Sequence, residues 1–278
     1  MSKKQNAFTL VELLVVIAII ALLMSILMPA LTRVRKQAKA VVCQTNLKQL
    51  ANCFSMYANE NDGFFPAGWI AGNYPPNAHK RYWMEALRPC YMNSGDLRLC
   101  PVTNKFSSET NGEGGVYVAW GIFEGGEFGE QSTWWPYVVV GDYGSYGWNS
   151  FVCNTEDGEN TFAPPREYNW KTADVKGTYN IPLIGDHKWL DCWPIQEDEP
   201  PPFDVPVWTE YQMGRICMNR HDGYVNWASL DYSVRKVGLK ELWTLKWSRV
   251  FETNGPWTIA GNVRPSDWPD WMQSFKDY

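Results

Sequence analysis

The chain has 278 residues, of which 45% are hydrophobic and 15% aromatic, with 25 Lys and Arg against 30 Asp and Glu. This length can hold one N-terminal helix and one globular region of about 210 residues with long insertions. The net charge of −5 argues against non-specific binding to nucleic acid, so no nucleic-acid partner is expected. Sixteen tryptophans predict an aromatic core, with stacking on sugar rings as the alternative interpretation.

The first element is an apolar run over residues 8–28, which only Glu12 interrupts and which follows a short leader with two lysines. As a helix, 21 residues at about 1.5 Å each reach roughly 31 Å, enough to cross a bilayer. A carboxylate inside such a helix costs about 2.5 to 3.5 kcal/mol, so Glu12 needs a partner. Cleavage between Ala7 and Phe8 would supply one, because the new α-amino group lies four residues before Glu12.

The segment 3–29 resembles the N-terminal signature of type IV pilins and type II secretion pseudopilins. The resemblance implies cleavage by prepilin peptidase between Ala7 and Phe8, methylation of the Phe8 amine, and a role for Glu12 in setting the subunit register of a filament. Pro29 stands where the family carries a helix-breaking proline, whereas Ala7 replaces the usual glycine. An uncleaved anchor or a secretory signal is the alternative, but here the small residue precedes the apolar run.

The same resemblance implies a structural subunit without a cofactor. Its precursor would cross the inner membrane once, in contact with lipid, before an inner-membrane assembly platform transfers it into a helical filament of identical subunits. The filament would lie in the periplasm or at the cell surface, as a pilus, a secretion pseudopilus or an uptake fibre. The alternative function is a membrane-anchored surface protein or adhesin that binds glycans through a Trp-rich ectodomain.

Removal of the leader 1–7 would leave 23 Lys and Arg against 30 acids, a net charge of −7. The mature chain is then expected to contain an apolar helix over residues 8–29, its amphipathic continuation over 30–62, and a β-rich globular domain over 63–278.

Beyond Pro29, one apolar stripe at steps of four and three residues predicts a helical face that packs on a sheet. Its members are Cys43, Leu47, Leu50, Phe54 and Tyr57. Turn residues and a glycine at 59–63 predict the helix end. The first helix is therefore expected from near Phe8 to about Asn59, kinked or loosened at Pro29.

The segment 43–66 resembles large pseudopilin-like proteins of planctomycete and lentisphaera-type bacteria, as does Leu99-Cys100-Pro101. The predicted fold class is thus α+β and pilin-like, with a long N-terminal helix, an antiparallel sheet and long aromatic-rich loops. Further predicted elements are a short helix at 82–90, strands at 116–120, 135–140 and 181–184, and a stiff, exposed acidic loop at 198–204.

Seven cysteines leave at least one thiol free or intermolecular in an exported domain that permits disulfides. Cys43 and Cys53 cannot bridge each other, because ten residues of helix separate them by about 15 Å. The other pairings stay open.

His221 and Asp231 resemble the H-x9-D-G element of a C-terminal domain in these pseudopilin-like proteins, with Tyr232 in place of the glycine. Strands at 224–229 and 233–237 are expected to form a hairpin with Asp231 at its tip and His221 at its base.

His221, Asp231 and the Asp186-His187 pair are the imidazole and carboxylate groups in the sequence that could hold a metal or serve a membrane-anchored hydrolase. Their alternative role is hydrogen bonding at turns and strand ends. Asp157 lies in an oxygen-rich segment, 154–160, of the kind that binds structural calcium. The sequence contains no nucleophile elbow, phosphate loop or H-E-x-x-H motif, so no enzymatic activity is expected.

Overall fold

The computed structural model describes seven stretches of the chain, residues 10–68, 82–91, 95–103, 114–121, 142–155, 165–203 and 212–278. The chain forms two compact units, residues 1–39 and 40–278. The described α-helices are α1 (Leu10–Glu60), α2 (Trp83–Tyr91) and α3 (Asp270–Gln273). The described strands are β1 (Trp120–Gly121), β2 (Tyr143–Gly144), β3 (Tyr146–Asn149), β4 (Pro182–Asp186), β5 (Asp191–Cys192), β6 (Tyr224–Ser229) and β7 (Val234–Gly238).

The first unit contains the apolar part of α1. Every large apolar side chain from Leu10 to Met28 is between 45% and 82% exposed. An 18-residue window of this helix has a mean hydropathy of 3.0, so its length and composition suit a membrane span. The helix continues through Pro29, and the predicted long N-terminal helix is confirmed.

The C-terminal part of α1 carries the predicted stripe. Cys43, Leu47, Leu50 and Phe54 are fully buried, and Tyr57 is partly buried against the same core. Their side chains repeat on one helical face, which lies on the central strands. The ring of Phe54, for example, lies 6.0 Å from that of Trp148 on β3.

The helix ends as its sequence predicts. Beyond Glu60 the chain turns through Asp62 and Gly63, which have φ angles of 54° and 83°. The Gly63 N–H donates to the Ala58 carbonyl oxygen at 2.8 Å and so closes the last turn of the helix.

A five-stranded sheet in the order β5-β3-β4-β6-β7 forms the centre of the second unit. Its pairs are antiparallel except β3 and β5, which run parallel. The predicted α+β class is therefore confirmed, with a parallel pair at one edge. The predicted hairpin is β6–β7, and the predicted strand at 181–184 is β4.

Tryptophan rings fill much of the core. Trp148 contacts Tyr82 at a centroid distance of 5.8 Å, and Trp227 meets Trp247 edge to face at 5.0 Å. Gly185 on β4 pairs with Trp227 on β6, and a Cβ at Gly185 would collide with that indole. The strand therefore needs glycine at this position to admit the ring.

Three other predicted elements differ from the structure or lie outside the described residues. The predicted exposed loop at 198–204 is wrong in its first half, because Asp198, Pro200 and Pro201 are buried. Its backbone binds a side chain of the core: the Trp243 indole N–H donates to the Asp198 carbonyl oxygen at 2.8 Å. The predicted strand at 135–140 lies outside the described residues, and of the one predicted at 116–120 only Trp120 belongs to a strand, β1.

Candidate functional site

Two regions can carry function, and the first is the apolar segment of α1. Glu12 lies in the first turn of the described helix, where the partial positive charge of a helix N-terminus favours a carboxylate. Pro29 lies farther along the same helix. Ala7 and Phe8, the residues of the predicted cleavage, lie outside the described residues.

The second region is a buried polar cluster around Asp186, the last residue of β4. One carboxylate oxygen accepts from Arg220 Nη1 at 3.0 Å. The other lies 3.2 Å from His221 Nε2 and accepts the Asn226 backbone N–H at 2.7 Å. The pairing of β4 with β6 places the residues before and within β6 beside the end of β4.

Arg220 fixes the orientation of this carboxylate. Besides Asp186, its guanidinium donates to four backbone carbonyls at 2.7 to 3.1 Å, those of Gly115, Val116, Ser145 and His187. A buried guanidinium with all its donors engaged cannot turn without losing several hydrogen bonds. Asp186 is thus held by a rigid cation.

Two thiols complete the cluster. Cys43 projects from the buried face of α1, and its Sγ lies 3.7 and 3.8 Å from the two Asp186 oxygens. Cys100 follows the short 3-10 helix Gly95–Arg98, and its Sγ lies 3.4 Å from His221 Nε2. Its backbone N–H donates to Ser145 Oγ at 2.6 Å, which anchors this loop to the residue before β3.

The four groups strongly shift one another's pKa values. Burial alone raises the pKa of Asp186, but His221, Arg220 and the Asn226 N–H together hold it well below its usual range. Burial lowers and Asp186 raises the pKa of His221, with a net rise to about 9. His221 is therefore an imidazolium beside a carboxylate at neutral pH in the metal-free cluster.

The pKa values of the two thiols shift in opposite directions. Burial raises the pKa of Cys43 well above its ordinary value, and Cys100 and Asp186 add to the rise. Burial also raises the pKa of Cys100, but hydrogen bonds from Cys43 and His221 and the charge of Arg220 outweigh it and bring it to about 6. One thiol of the pair is therefore readily deprotonated, which is the form that binds metals.

This arrangement does not suit nucleophilic catalysis. A Cys-His-Asp triad needs one imidazole nitrogen on the nucleophile and the other on the carboxylate. Here the same nitrogen, His221 Nε2, faces both Cys100 and Asp186. Cys100 is also completely buried, so a substrate could not reach its sulfur.

The predicted site residues separate in the fold. Asp186 and His221 come together, whereas Asp231 lies in the β6–β7 turn and accepts hydrogen bonds from Ser233 N–H and Oγ at 3.0 and 2.6 Å. His187 is buried apart from the cluster, with Nδ1 accepting the Trp189 N–H at 2.8 Å. Asp157, of the predicted calcium segment, lies outside the described residues.

The sequence reasoning missed Cys43 and Cys100 as members of this site. Both had a signal: Cys43 lies on the predicted buried stripe, and Cys100 lies in the Leu-Cys-Pro element. Neither signal connects the two cysteines with Asp186 or His221, since their approach depends on how α1 and two loops meet the sheet.

The described tryptophans lie mostly in the interior of the protein. Twelve of the sixteen lie within the described residues; nine are buried and three half-buried. None of these twelve is presented as an exposed platform, so the described part of the chain gives no support to the predicted glycan-stacking surface.

Comparison with known families places a prokaryotic N-terminal methylation motif at residues 2–28. Neither the curated proteins nor the solved structures gave a match. The motif coincides with the beginning of the exposed apolar helix, and it points to a structural subunit rather than an enzyme. The chain therefore carries the N-terminal methylation motif of a pilin- or pseudopilin-like precursor.

Proposed function

We propose that this chain is the precursor of a filament subunit of a type IV pilus-like or type II secretion system. Prepilin peptidase cuts it between Ala7 and Phe8 and methylates the Phe8 amine, and the mature chain assembles with identical copies through residues 8–29. The observation that carries this proposal is the methylation motif at residues 2–28, which overlaps a helix whose large apolar side chains are exposed.

The exposed apolar segment supports a membrane-inserted precursor. Leaving a large aliphatic side chain in water forgoes about 1.5 to 3 kcal/mol relative to burying it. The segment from Leu10 to Met28 consists almost entirely of such side chains. It therefore needs lipid or the helices of other subunits around it, which in this proposal are its surroundings before and after assembly.

Transfer from lipid to a filament needs a further source of specificity. Lipid tails are as apolar as leucine, so helices leave them through close packing and polar contacts rather than a hydrophobic driving force. Glu12 is the only charged residue between Leu10 and Met28. A salt bridge between Glu12 and the Phe8 amine of a neighbouring subunit would be strong in this low-dielectric surrounding and would fix the register.

The charge beyond the apolar segment runs against the proposed orientation, because a basic cluster usually marks the cytoplasmic side of a membrane span, and the proposal therefore requires its neutralisation in the filament. Arg33, Arg35, Lys36 and Lys39 follow it on α1, whereas the chain as a whole has an excess of acids. Acidic groups of neighbouring subunits can neutralise this basic segment in a filament. The inner-membrane assembly platform and prepilin peptidase are the partners that the proposal requires.

The test is the mass of the N-terminal peptide. The protein is recovered from the membrane fraction and from sheared surface material of the producing cell. The proposal predicts a chain that begins at N-methylated Phe8 in both fractions, with the sheared fraction enriched in multimers. A chain that keeps residues 1–7 in both fractions would refute processing and leave an uncleaved anchor that carries an ectodomain.

A further inference from the structure

Four side chains of the types that bind metals converge in the second unit from four separate parts of the chain. They come from α1, the loop after the 3-10 helix Gly95–Arg98, the end of β4 and the approach to β6: Cys43, Cys100, Asp186 and His221. Their donor atoms all lie within 4.8 Å of one another. Convergence of this kind, and not the presence of single cysteines or acids, distinguishes a metal site.

Three of the six distances between the donors are close to those of tetrahedral coordination, and the other three are at most 4.8 Å. Bond lengths of about 2.3 Å for zinc to sulfur and about 2.0 to 2.1 Å for zinc to nitrogen or oxygen place neighbouring ligands roughly 3.3 to 3.8 Å apart. Cys43 Sγ lies 3.8 Å from Asp186 Oδ2, the oxygen that also faces His221, and Cys100 Sγ lies 3.4 Å from His221 Nε2. The 3.2 Å between His221 Nε2 and Asp186 completes a set that needs only small shifts around a metal ion.

The surroundings already support such a site. Asn226 donates its side-chain N–H to Cys43 Sγ at 3.3 Å and its backbone N–H to Asp186 at 2.7 Å. Arg220 holds the Asp186 carboxylate at 3.0 Å. Metal ligands in proteins are commonly oriented by hydrogen bonds of this kind.

Charge balance also favours a divalent cation. Two thiolates and the Asp186 carboxylate carry three negative charges, which Arg220 and a divalent ion together neutralise. Binding releases whatever protons the two sulfurs and the imidazole still carry, since only the deprotonated groups coordinate. The buried cluster then holds no uncompensated charge.

We propose that Cys43, Cys100, Asp186 and His221 form a closed structural site for zinc or a chemically similar divalent cation. The two sulfur ligands exclude calcium and magnesium, which take oxygen donors. Four protein ligands leave no open coordination position, so the ion links α1 to the sheet and is not catalytic. This inference is independent of whether the chain assembles into filaments.

The competing arrangement is a disulfide between Cys43 and Cys100, which an oxidising compartment permits. It would require the two sulfurs to approach to about 2.05 Å. It would also remove both thiolates and leave His221 and Asp186 as an ion pair. In the described structure neither Cys43 nor Cys100 is in a disulfide.

The first experiment measures zinc in the full chain, purified in detergent without chelator and then dialysed against limiting Zn²⁺. We expect about one zinc per wild-type chain and at least about a tenfold lower occupancy in Cys100→Ser and His221→Gln. Cys192→Ser is the matched control, because Cys192 is equally buried but lies outside the cluster. Wild-type protein without bound zinc, or an equal loss in Cys192→Ser, would overturn the proposal.

A second measurement needs no variant and so does not depend on how the substituted chains fold. Thiol alkylation of the wild-type chain is followed by peptide mass in mild denaturant, with and without Zn²⁺. Zinc should slow the labelling of Cys43 and Cys100 at least about tenfold more than that of Cys192, because it coordinates the first two sulfurs and protects Cys192 only by stabilising the fold. A Cys43–Cys100 disulfide in protein taken from the cell envelope, or zinc-independent labelling, would refute the site.

Discussion

Asp198 shows how one residue of the second unit can make stability depend on pH. Its side chain is buried, and its carboxylate accepts backbone N–H groups of Met213 at 3.1 Å and Ile195 at 3.3 Å. Burial raises its pKa to about 6 despite these hydrogen bonds. The folded chain therefore binds a proton at this position at pH values where the unfolded chain, with a pKa of about 3.9, has lost it.

The sign of the effect follows from proton linkage. The stabilising contribution of the protonated carboxyl is fully present below the unfolded pKa, and it is lost as pH rises from about 4 through about 6. We expect the free energy of unfolding of the wild type, relative to Asp198→Asn, to fall by on the order of 2 kcal/mol between pH 4 and pH 7.

Chemical denaturation of both proteins, followed by tryptophan fluorescence at several pH values, measures this difference. All other titrating groups are common to the two proteins, so their contributions to the pH dependence cancel in the difference. Asp267→Asn serves as the control, since this carboxylate is on the surface and its pKa is lowered, mainly by the Arg264 N–H. A difference between wild type and Asp198→Asn that stays constant with pH would contradict the prediction.

The positions of the predicted site residues show which contacts can be predicted from single residues in the sequence. Asp231 and Ser233 form a local turn contact, which sequence spacing alone predicts. Asp186 and His221 are 35 positions apart and were candidates by residue type only. Their meeting with Cys43 and Cys100 depends on three-dimensional packing, so the sequence could name half of the cluster but not its geometry.

At the scale of single elements, the end of α1 is set by its local sequence. Gly63 adopts a φ of 83°, and no atom lies within 4 Å of the position where a Cβ would stand. Glycine is therefore favoured here only because of its backbone conformation, since a Cβ would not collide with any neighbouring residue. This separation makes the position a clean test of helix termination.

Gly63→Ala is expected to lower the free energy of unfolding by about 1 to 2 kcal/mol, because a left-handed conformation is costly for residues with a Cβ. Gly63→Asn should lose less, since asparagine tolerates this conformation. Denaturant titration of the two variants and the wild type checks the order. Equal stability of Gly63→Ala and the wild type would show that the helix end differs from the one described.

Elements with strong periodicity or turn chemistry are the predictable ones. The stripe that contains Leu47 and Leu50 and the β6–β7 hairpin follow from local patterns. The edge strand β5 has only two residues, too few to show any periodicity. The buried prolines at 200 and 201 were predicted to be exposed because proline-rich acidic segments commonly are. In the structure, the Trp271 indole N–H donates to the Pro201 carbonyl oxygen at 3.0 Å.

At the scale of the whole molecule, the two compact units differ in how their apolar side chains are covered. In the described part of the second unit, residues 40–278, the buried apolar side chains form one core, and the polar cluster is buried as well. The first unit leaves the apolar surface of α1 exposed, and in the proposed function lipid or other subunits cover it. Folding of the second unit and assembly through the first should therefore respond to different substitutions.

Glu12 offers the sharpest separation of these two properties. In the proposed filament its carboxylate pairs with the Phe8 amine of a neighbour, and Glu12→Gln removes the charge while it keeps the size of the side chain. We expect cleavage and methylation to persist, the second unit to keep its stability, and the yield of sheared filaments to fall at least about tenfold, since 1.4 kcal/mol suffices for that factor. The N-terminal peptide mass and the amount of sheared protein are measured on the same cells.

The matched control is Glu60→Gln, which removes an exposed acid from the far end of the same helix, outside the apolar segment. This variant should assemble like the wild type, because its carboxylate has no part in the proposed helix core. Normal filament yield from Glu12→Gln would show that register and release from lipid do not depend on this charge. An equal loss from both variants would instead assign the defect to the overall charge of the helix, and the proposed pairing with Phe8 would be wrong.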